Sequence, residues 1–249
     1  MSFVAVRDVW RTYAGRPVLE RVNLEVAEGE FVAIVGASGC GKSTFLRMLL
    51  AQETPDRGEI RVEGRAPARE PGPERGVVFQ RYSVFPHLTV RDNLVAAEAF
   101  GANLWGGFLG ARLRAARARA EATLARIGLG HLAGAWPAQL SGGQQQRLAI
   151  AQALAARPRV LLLDEPFGAL DPGTRAQMHD FLTELRAETP MTVFMVTHEL
   201  SEAFKLGDRV VVFDKPRWDP DDPGAYGATI TYDFDARHGG IPFQTGART

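Results

Sequence analysis

Gly36-Ala37-Ser38-Gly39-Cys40-Gly41-Lys42-Ser43-Thr44 lies between an apolar, β-branched run, Phe31-Val32-Ala33-Ile34-Val35, and a run of helical character, Thr44-Phe45-Leu46-Arg47-Met48-Leu49-Leu50. Gly36, Gly41, Lys42 and Ser43 occupy the defining positions of G-x-x-x-x-G-K-[ST]. In a strand–loop–helix frame the glycines let backbone N–H groups close round phosphate oxygens, and the following helix aims its positive end at the same place. Lys42 is expected to reach the β- and γ-phosphates, and the Ser43 hydroxyl to ligate Mg²⁺. The plainer alternative is a glycine-rich turn with no ligand; the Lys-Ser pair in register argues against it. The stretch predicts an α/β fold that binds a nucleoside triphosphate.

Bulk properties narrow the classes of function. A chain of 249 residues has room for one α/β unit with a lobe attached. Lys plus Arg equals Asp plus Glu at 29 each, so no global field draws the chain to nucleic acid or to an anionic membrane. The single cysteine, Cys40, excludes an internal disulfide framework and suits a reducing cytoplasm. No apolar run approaches the roughly 20 residues that cross a bilayer. Met1-Ser2-Phe3-Val4-Ala5-Val6-Arg7 lacks the features of a signal peptide. A soluble chain is expected, with any membrane role coming through a partner.

Before the loop, strands are expected at Phe3 to Val6, Val18 to Val26 and Phe31 to Val35. Tyr13 precedes the first turn, where an aromatic can stack on an adenine ring or cover a sheet edge. Beyond the loop, Glu59 to Val62 reads as a strand and residues 66–75 as a surface loop. Gly76-Val77-Val78-Phe79 reads as a buried strand with Gln80 at its carboxyl end, where ligand-facing side chains of open α/β sheets lie. The Gln80 amide can sense the γ-phosphate, Mg²⁺ or an attacking water, or simply end a strand. Residues 81–135 change character. Tyr82-Ser83-Val84-Phe85-Pro86-His87-Leu88 exposes apolar groups, and helices are expected at Val90 to Phe100 and Ala111 to Ile127. Arg112, Arg114, Arg117 and Arg119 spread around the second helix, as on a solvated face rather than a nucleic-acid stripe.

Leu140-Ser141-Gly142-Gly143-Gln144 is followed by a helix expected from Gln145 to Ala156, and serves either as a second anion cradle at the helix start or as ordinary N-capping. Val160-Leu161-Leu162-Leu163-Asp164-Glu165 is an apolar strand ending in two carboxylates, which the pleat would turn to opposite faces. Asp164 fits a second Mg²⁺ contact and Glu165 the polarising of a water for in-line attack. Ala169-Leu170-Asp171-Pro172 starts a helix expected at Gly173 to Glu188; Thr192 to Val196 is a buried strand, and His198 at its end is the candidate γ-phosphate sensor. Residues 214–249 read as an irregular appendage with one short strand at Ala228 to Tyr232 and no site.

Gly36 to Thr44, Gln80, Leu140 to Gln144, Val160 to Glu165, Asp171 and His198 occur in the order and rough spacing of an ATP-binding cassette. Over about residues 3–213 the chain resembles the ABC-transporter ATPase family. The resemblance implies a P-loop NTPase core with a mostly parallel sheet, an N-terminal antiparallel β subdomain and an α-helical subdomain inserted at about 81–150, together spanning 1–213. It implies ATP and Mg²⁺, the metal held by Ser43, Asp164 and Gln80. It further implies two copies, or this chain and a homologous ATPase chain, arranged head to tail with two ATPs between them. Each ATP would touch the phosphate loop of one chain and Ser141, Gly142, Gly143 and Gln144 of the other. Tyr13 would stack on adenine, Gln80 couple the site to the membrane partner, Glu165 act as general base and His198 contact the γ-phosphate. Cys40, at a variable position of the loop, would be a spectator whose alkylation blocks nucleotide by bulk.

Family likeness also implies transmembrane permease subunits as partners, a solute-binding protein acting indirectly, no nucleic acid, and a place at the cytoplasmic face of the inner membrane. Val84 to Leu88 and the helical lobe are candidates for a groove that receives a permease helix, or pack ordinarily on the core. A single cassette without a long heptad insertion resembles an importer ATPase; an exporter or lipoprotein-release ATPase is the alternative. Phe167-Gly168-Ala169-Leu170-Asp171 is similar to the nitrate/sulfonate/taurine importer group. Tyr82 to Thr89 departs from that group and is shared with amino-acid importer cassettes, and the tail is similar to cassettes of urea- or guanidine-utilisation systems.

Overall fold

Apolar and polar residues alternate along Val22-Asn23-Leu24-Glu25-Val26, and the apolar set faces inward while Asn23 and Glu25 face solvent. The computed structural model describes residues 2–66, 75–79, 84–101, 110–217, 219–222, 224–237 and 241–242. In chain order these form strands β1 (Val4–Tyr13), β2 (Arg16–Val26), β3 (Phe31–Gly36), β4 (Arg57–Val62), β5 (Arg75–Val78), β6 (Val160–Asp164), β7 (Thr192–Val196), β8 (Arg209–Asp214), β9 (Thr229–Asp235) and β10 (Ile241–Pro242). The α-helices are α1 (Lys42–Leu49), α2 (Val90–Gly101), α3 (Ala111–Arg126), α4 (Gly142–Ala155), α5 (Pro172–Glu188) and α6 (Leu200–Leu206). They group into two units, residues 1–71 with 192–249, and residues 72–191.

The first unit holds an antiparallel sheet in the order β2-β1-β4. Ala14 and Gly15, at φ 49° and 78°, make the two-residue turn between β1 and β2, with both central residues at the positive φ that a type I′ hairpin requires. The first strand is longer than Phe3 to Val6 because β1 runs the full length of the hairpin. Asp8 and Arg21 sit at positive φ beside register shifts, and these bulges interrupt the alternation that would have announced the strand. In the second sheet β3 lies between β7 and β8, parallel to both. Phe31 to Val35 are all buried, as expected of a strand covered on both faces. Phe45 of α1 packs on Phe213 of β8 at 5.2 Å between ring centroids, which seats the helix against the strand next to its own.

The short strand expected at Ala228 to Tyr232 is β9, Thr229–Asp235, which joins this sheet antiparallel to β8, so this part of the tail is not an appendage. A buried ionic cluster closes the edge. Arg209 donates from Nε to Asp233 Oδ1 at 2.6 Å, forms a second bond to the same carboxylate, lies 3.6 Å from Glu30 and donates to the Glu25 carbonyl at 2.6 Å. Burial works against the Arg209 charge, yet Asp233 and Glu30 hold the guanidinium above its ordinary pKa.

The second unit pairs β5 with β6 in parallel and packs α2 against α3 and α4. On α3 the buried residues are Ala116, Ala120 and Leu124, four apart, so one narrow face points inward. Arg112, Arg114, Arg117 and Arg119 are all exposed; Arg119 pairs with Glu98, which raises its pKa. Asn93 of α2, fully buried, organises the preceding loop. Its Oδ1 accepts from Phe85 N at 2.7 Å, and its Nδ2 donates to the carbonyls of Phe85, Leu88 and Thr89 at 3.1, 3.1 and 2.9 Å. Among the described residues no helix is long and apolar enough to cross a membrane.

Removing one member of a buried ionic cluster leaves the others charged and unpaired. Arg209→Met is therefore expected to lower stability by about 3–5 kcal/mol in urea unfolding, and replacing Asp233 by Leu in the same chain to recover part of that loss.

Candidate functional site

Two half-sites emerge, one in each unit. In the first, β3 ends at Gly36 and the chain passes through Ala37, Ser38 and Gly39, all exposed, to Gly41 and the first turn of α1. A Cβ on Gly36 would overlap the carbonyl oxygen of Phe213, so only glycine lets the backbone turn there. Gly41 caps α1 at φ 94°, where a Cβ would also lie 2.7 Å from Leu19 Cδ2. Because the cap has no side chain and the first turn carries no acidic residue, the N–H groups at the start of α1 face an uncontested anion position. Lys42 is buried, its Nζ donating to the carbonyls of Gly36 and Ala37 at 2.7 Å each and lying 3.8 Å from Cys40 Sγ. These glycines, the capless helix and the lysine fit a polyphosphate group. Ser43 is exposed on the first turn, whereas Thr44 is buried, so Ser43 is the hydroxyl available to a cation. Cys40 is buried, and its thiol is not the open position that its place in the motif suggests.

Tyr13, 39% exposed, stands at the β1–β2 turn. Its hydroxyl donates to Glu53 and the Arg11 guanidinium lies 4.8 Å from the ring centroid, so an adenine would have to use the ring's other face. The Asp56 carboxylate accepts from Thr12 N at 2.6 Å and Thr12 Oγ1 at 2.7 Å, and these bonds, with Arg11, hold it below its usual pKa and brace the hairpin tip. His198 is exposed, one residue beyond Thr197, whose N–H donates to the carbonyl of Ile34 at 3.1 Å. The structure thus brings His198 to the end of β7 alongside the end of β3, which feeds the phosphate loop.

In the second unit, Ser141 caps α4 through a reciprocal pair: Gln144 N donates to Ser141 Oγ at 3.3 Å, and Ser141 N donates to Gln144 Oε1 at 2.8 Å. The side chains thus cap the helix, which is the N-capping reading of this stretch, and Gly142 and Gly143 form its first turn. Asp164 closes β6. Glu165 lies beyond the strand in the left-handed region at φ 49°, so the two carboxylates are separated by a backbone turn and not by strand alternation. Gln146 of α4 is buried and its Nε2 donates to the carbonyls of Glu165, at 3.5 Å, and Pro166. Asp171 caps α5, accepting from Thr174 N at 3.0 Å, and this bonding lowers its pKa. Gln80 lies outside the described residues.

Sequence reading missed Gln146, Asn93 and the Thr197–Glu202 contact. Gln146 carried one usable signal, since it lies three and four residues before Ala149 and Ile150 on the buried face of α4. Among the described residues no group of three or more His, Cys, Asp or Glu could hold a metal alone. Mg²⁺ bound through one or two protein oxygens and phosphate needs no such cage.

The model of a family described as "ABC transporter" matches residues 19–168. An aliphatic sulfonates import ATP-binding protein of Rhizobium johnstonii is 42% identical over 214 residues, which are 86% of this chain and 74% of that protein. A bicarbonate transport ATP-binding protein of Synechococcus elongatus is 43% identical over 216 residues, 84% of this chain but only 31% of that protein. A dimeric ATP-binding cassette in a post-hydrolysis state bound to ADP and Pi superposes with a TM-score of 0.76 at 31% identity, covering 94% of this chain and 99% of that one.

Glycine at position 36 is required by space as well as by φ, whereas a Cβ on Gly39 would meet nothing within 4 Å. Gly39→Ala is expected to lower stability by about 1 kcal/mol for the left-handed backbone alone. Gly36→Ala is expected to lower it by roughly 2–4 kcal/mol, because backbone must move. Paired urea unfolding curves measure the difference.

Proposed function

The chain belongs to the ABC transporter family, and we propose on that premise that it is the ATP-hydrolysing subunit of a membrane importer. In this reading two copies close on two ATP molecules at the cytoplasmic face of transmembrane permease subunits, with a solute-binding protein delivering the cargo. The observation that carries ATP chemistry is the buried Lys42 ammonium resting on the carbonyls of the loop that leads into a capless α1. Relatives named for aliphatic sulfonates import and for bicarbonate transport support a small, polar, anionic solute; the permease and binding protein choose it.

Lys42 exchanges its two carbonyl partners for the β- and γ-phosphate oxygens, and the N–H groups at the start of α1 take the remaining charge. Tyr13 holds the adenine. Glu165 accepts the proton of the attacking water and orients it in line with the bond to be broken. His198 donates to the γ-phosphate from the same chain, while Ser141, Gly142, Gly143 and Gln144 of the other copy face it across the interface. Ser43, Asp164 and Gln80 would hold Mg²⁺, which supplies charge neutralisation on the β- and γ-oxygens. After hydrolysis the γ-phosphate no longer bridges the copies, and they separate.

A docking face is offered by the loop that Asn93 organises. Phe85, half-buried, lies 6.0 Å from both His87 and Phe100, and Phe100 is exposed. We assign this aromatic cluster to contact with a permease helix.

Glu165→Gln is expected to double the mass of the chain in light scattering when Mg-ATP is added, because closure no longer leads to hydrolysis. A persistent monomer with ATP bound would count against pairing through the Ser141 stretch. Phe85→Asp is expected to abolish solute uptake in cells while leaving ATP affinity within about two-fold of wild type; normal uptake would remove this loop from the docking face.

A further inference from the structure

His198 is an exposed side chain on a turn, and a γ-phosphate sensor needs a fixed origin. The backbone on both sides of it is held by one buried hydroxyl. Thr197, 2% exposed, donates from Oγ1 to Glu202 Oε2 at 2.6 Å and accepts from Glu199 N at 3.1 Å. Glu199 caps α6 without using its own side chain, so Thr197 performs the capping from two residues upstream. Glu202, 6% exposed, sits in the first turn of α6, where a carboxylate is favoured by the helix dipole. The Thr197 N–H donates to Ile34, two residues before Gly36. His198 is therefore suspended between a residue tied to β3 and a residue tied to α6.

We infer that Glu202 and Thr197 are positioning residues for His198, fixing its backbone relative to the phosphate loop through the Glu202–Thr197–Glu199 chain of hydrogen bonds. The inference rests on the γ-phosphate role given to His198 above. A carboxylate acceptor makes the first bond charge-assisted and polarises the hydroxyl toward its second partner, the Glu199 N–H. Valine has the shape of threonine but neither donates nor accepts. In Thr197→Val the Glu199 N–H and the Glu202 carboxylate both lose a partner, and the turn carrying His198 relaxes. Serine restores the hydroxyl, and glutamine at 202 keeps an acceptor oxygen within reach.

Steady-state ATPase measurements on the full chain test this, using Thr197→Val, Thr197→Ser, Glu202→Leu, Glu202→Gln, His198→Ala and the double variant His198→Ala/Thr197→Val. Thr197→Val and Glu202→Leu are expected to lower kcat roughly 10- to 100-fold, the range for a reacting group displaced by about 1 Å, with KM for ATP unchanged within about two-fold. Thr197→Ser and Glu202→Gln are expected to recover most of the activity. Adding Thr197→Val to His198→Ala is expected to cost nothing further, since a displaced histidine and an absent one are equivalent. Wild-type kcat in Thr197→Val, or a loss that multiplies in full upon His198→Ala, overturns the positioning role. Wild-type turnover in His198→Ala itself overturns the sensor reading first, and the positioning role with it.

Discussion

Phe213 of β8 constrains the phosphate loop from both ends. Its carbonyl oxygen stands where a Cβ of residue 36 would be, so the last residue of β3 must be glycine and the chain must turn away at that point. Its ring, fully buried, packs on Phe45, also fully buried, which fixes where the first turn of α1 can lie. Between those limits the loop has little freedom, and the lysine at the head of α1 finds the carbonyls of Gly36 and Ala37 within 2.7 Å. The anion cradle is thus set by ordinary core packing one strand away.

The buried polar groups follow a related pattern. Lys42, Asn93 and Gln146 each direct side-chain N–H groups at carbonyls of irregular backbone: the phosphate loop, the loop before α2, and the turn after β6. A backbone that leaves a strand or enters a helix has carbonyls with no ladder partner, and leaving one buried and unpaired costs about 1–3 kcal/mol. A long side chain from a neighbouring element is the available remedy. These groups therefore mark where regular structure stops, which in an α/β protein is also where ligands are met.

What the sequence made legible divides on the same line. The apolar strands β3, β6 and β7 and the loop Gly36 to Ser43 could be read because each is specified by a local run of residues. The alternation rule failed at Glu165. It assumes that the strand continues, whereas β6 ends at Asp164 and the next residue takes φ 49°. Helix α6 is seven residues long, too short for a 3.6-residue period to declare itself, and its capping hydroxyl comes from Thr197 outside it. Asp8 hid the length of β1 by inserting a bulge into an otherwise regular pattern. In each case the deciding partner is distant in sequence or lies in backbone geometry.

Glu165 shows how such a position is sustained. A left-handed conformation on a residue with a Cβ costs about 1–2 kcal/mol, and such strain persists only where neighbours determine the backbone completely. Part of that determination comes from α4. The Gln146 amide donates to the carbonyls of Glu165 and Pro166, offsetting a strain of that size with hydrogen bonds worth about 1 kcal/mol each. Gln146 lies five residues beyond Ser141, on the helix whose first turn is closed by the Ser141–Gln144 capping pair. A helix is stiff over five residues, so the first turn of α4 and the carboxylate-bearing turn after β6 belong to one rigid arrangement.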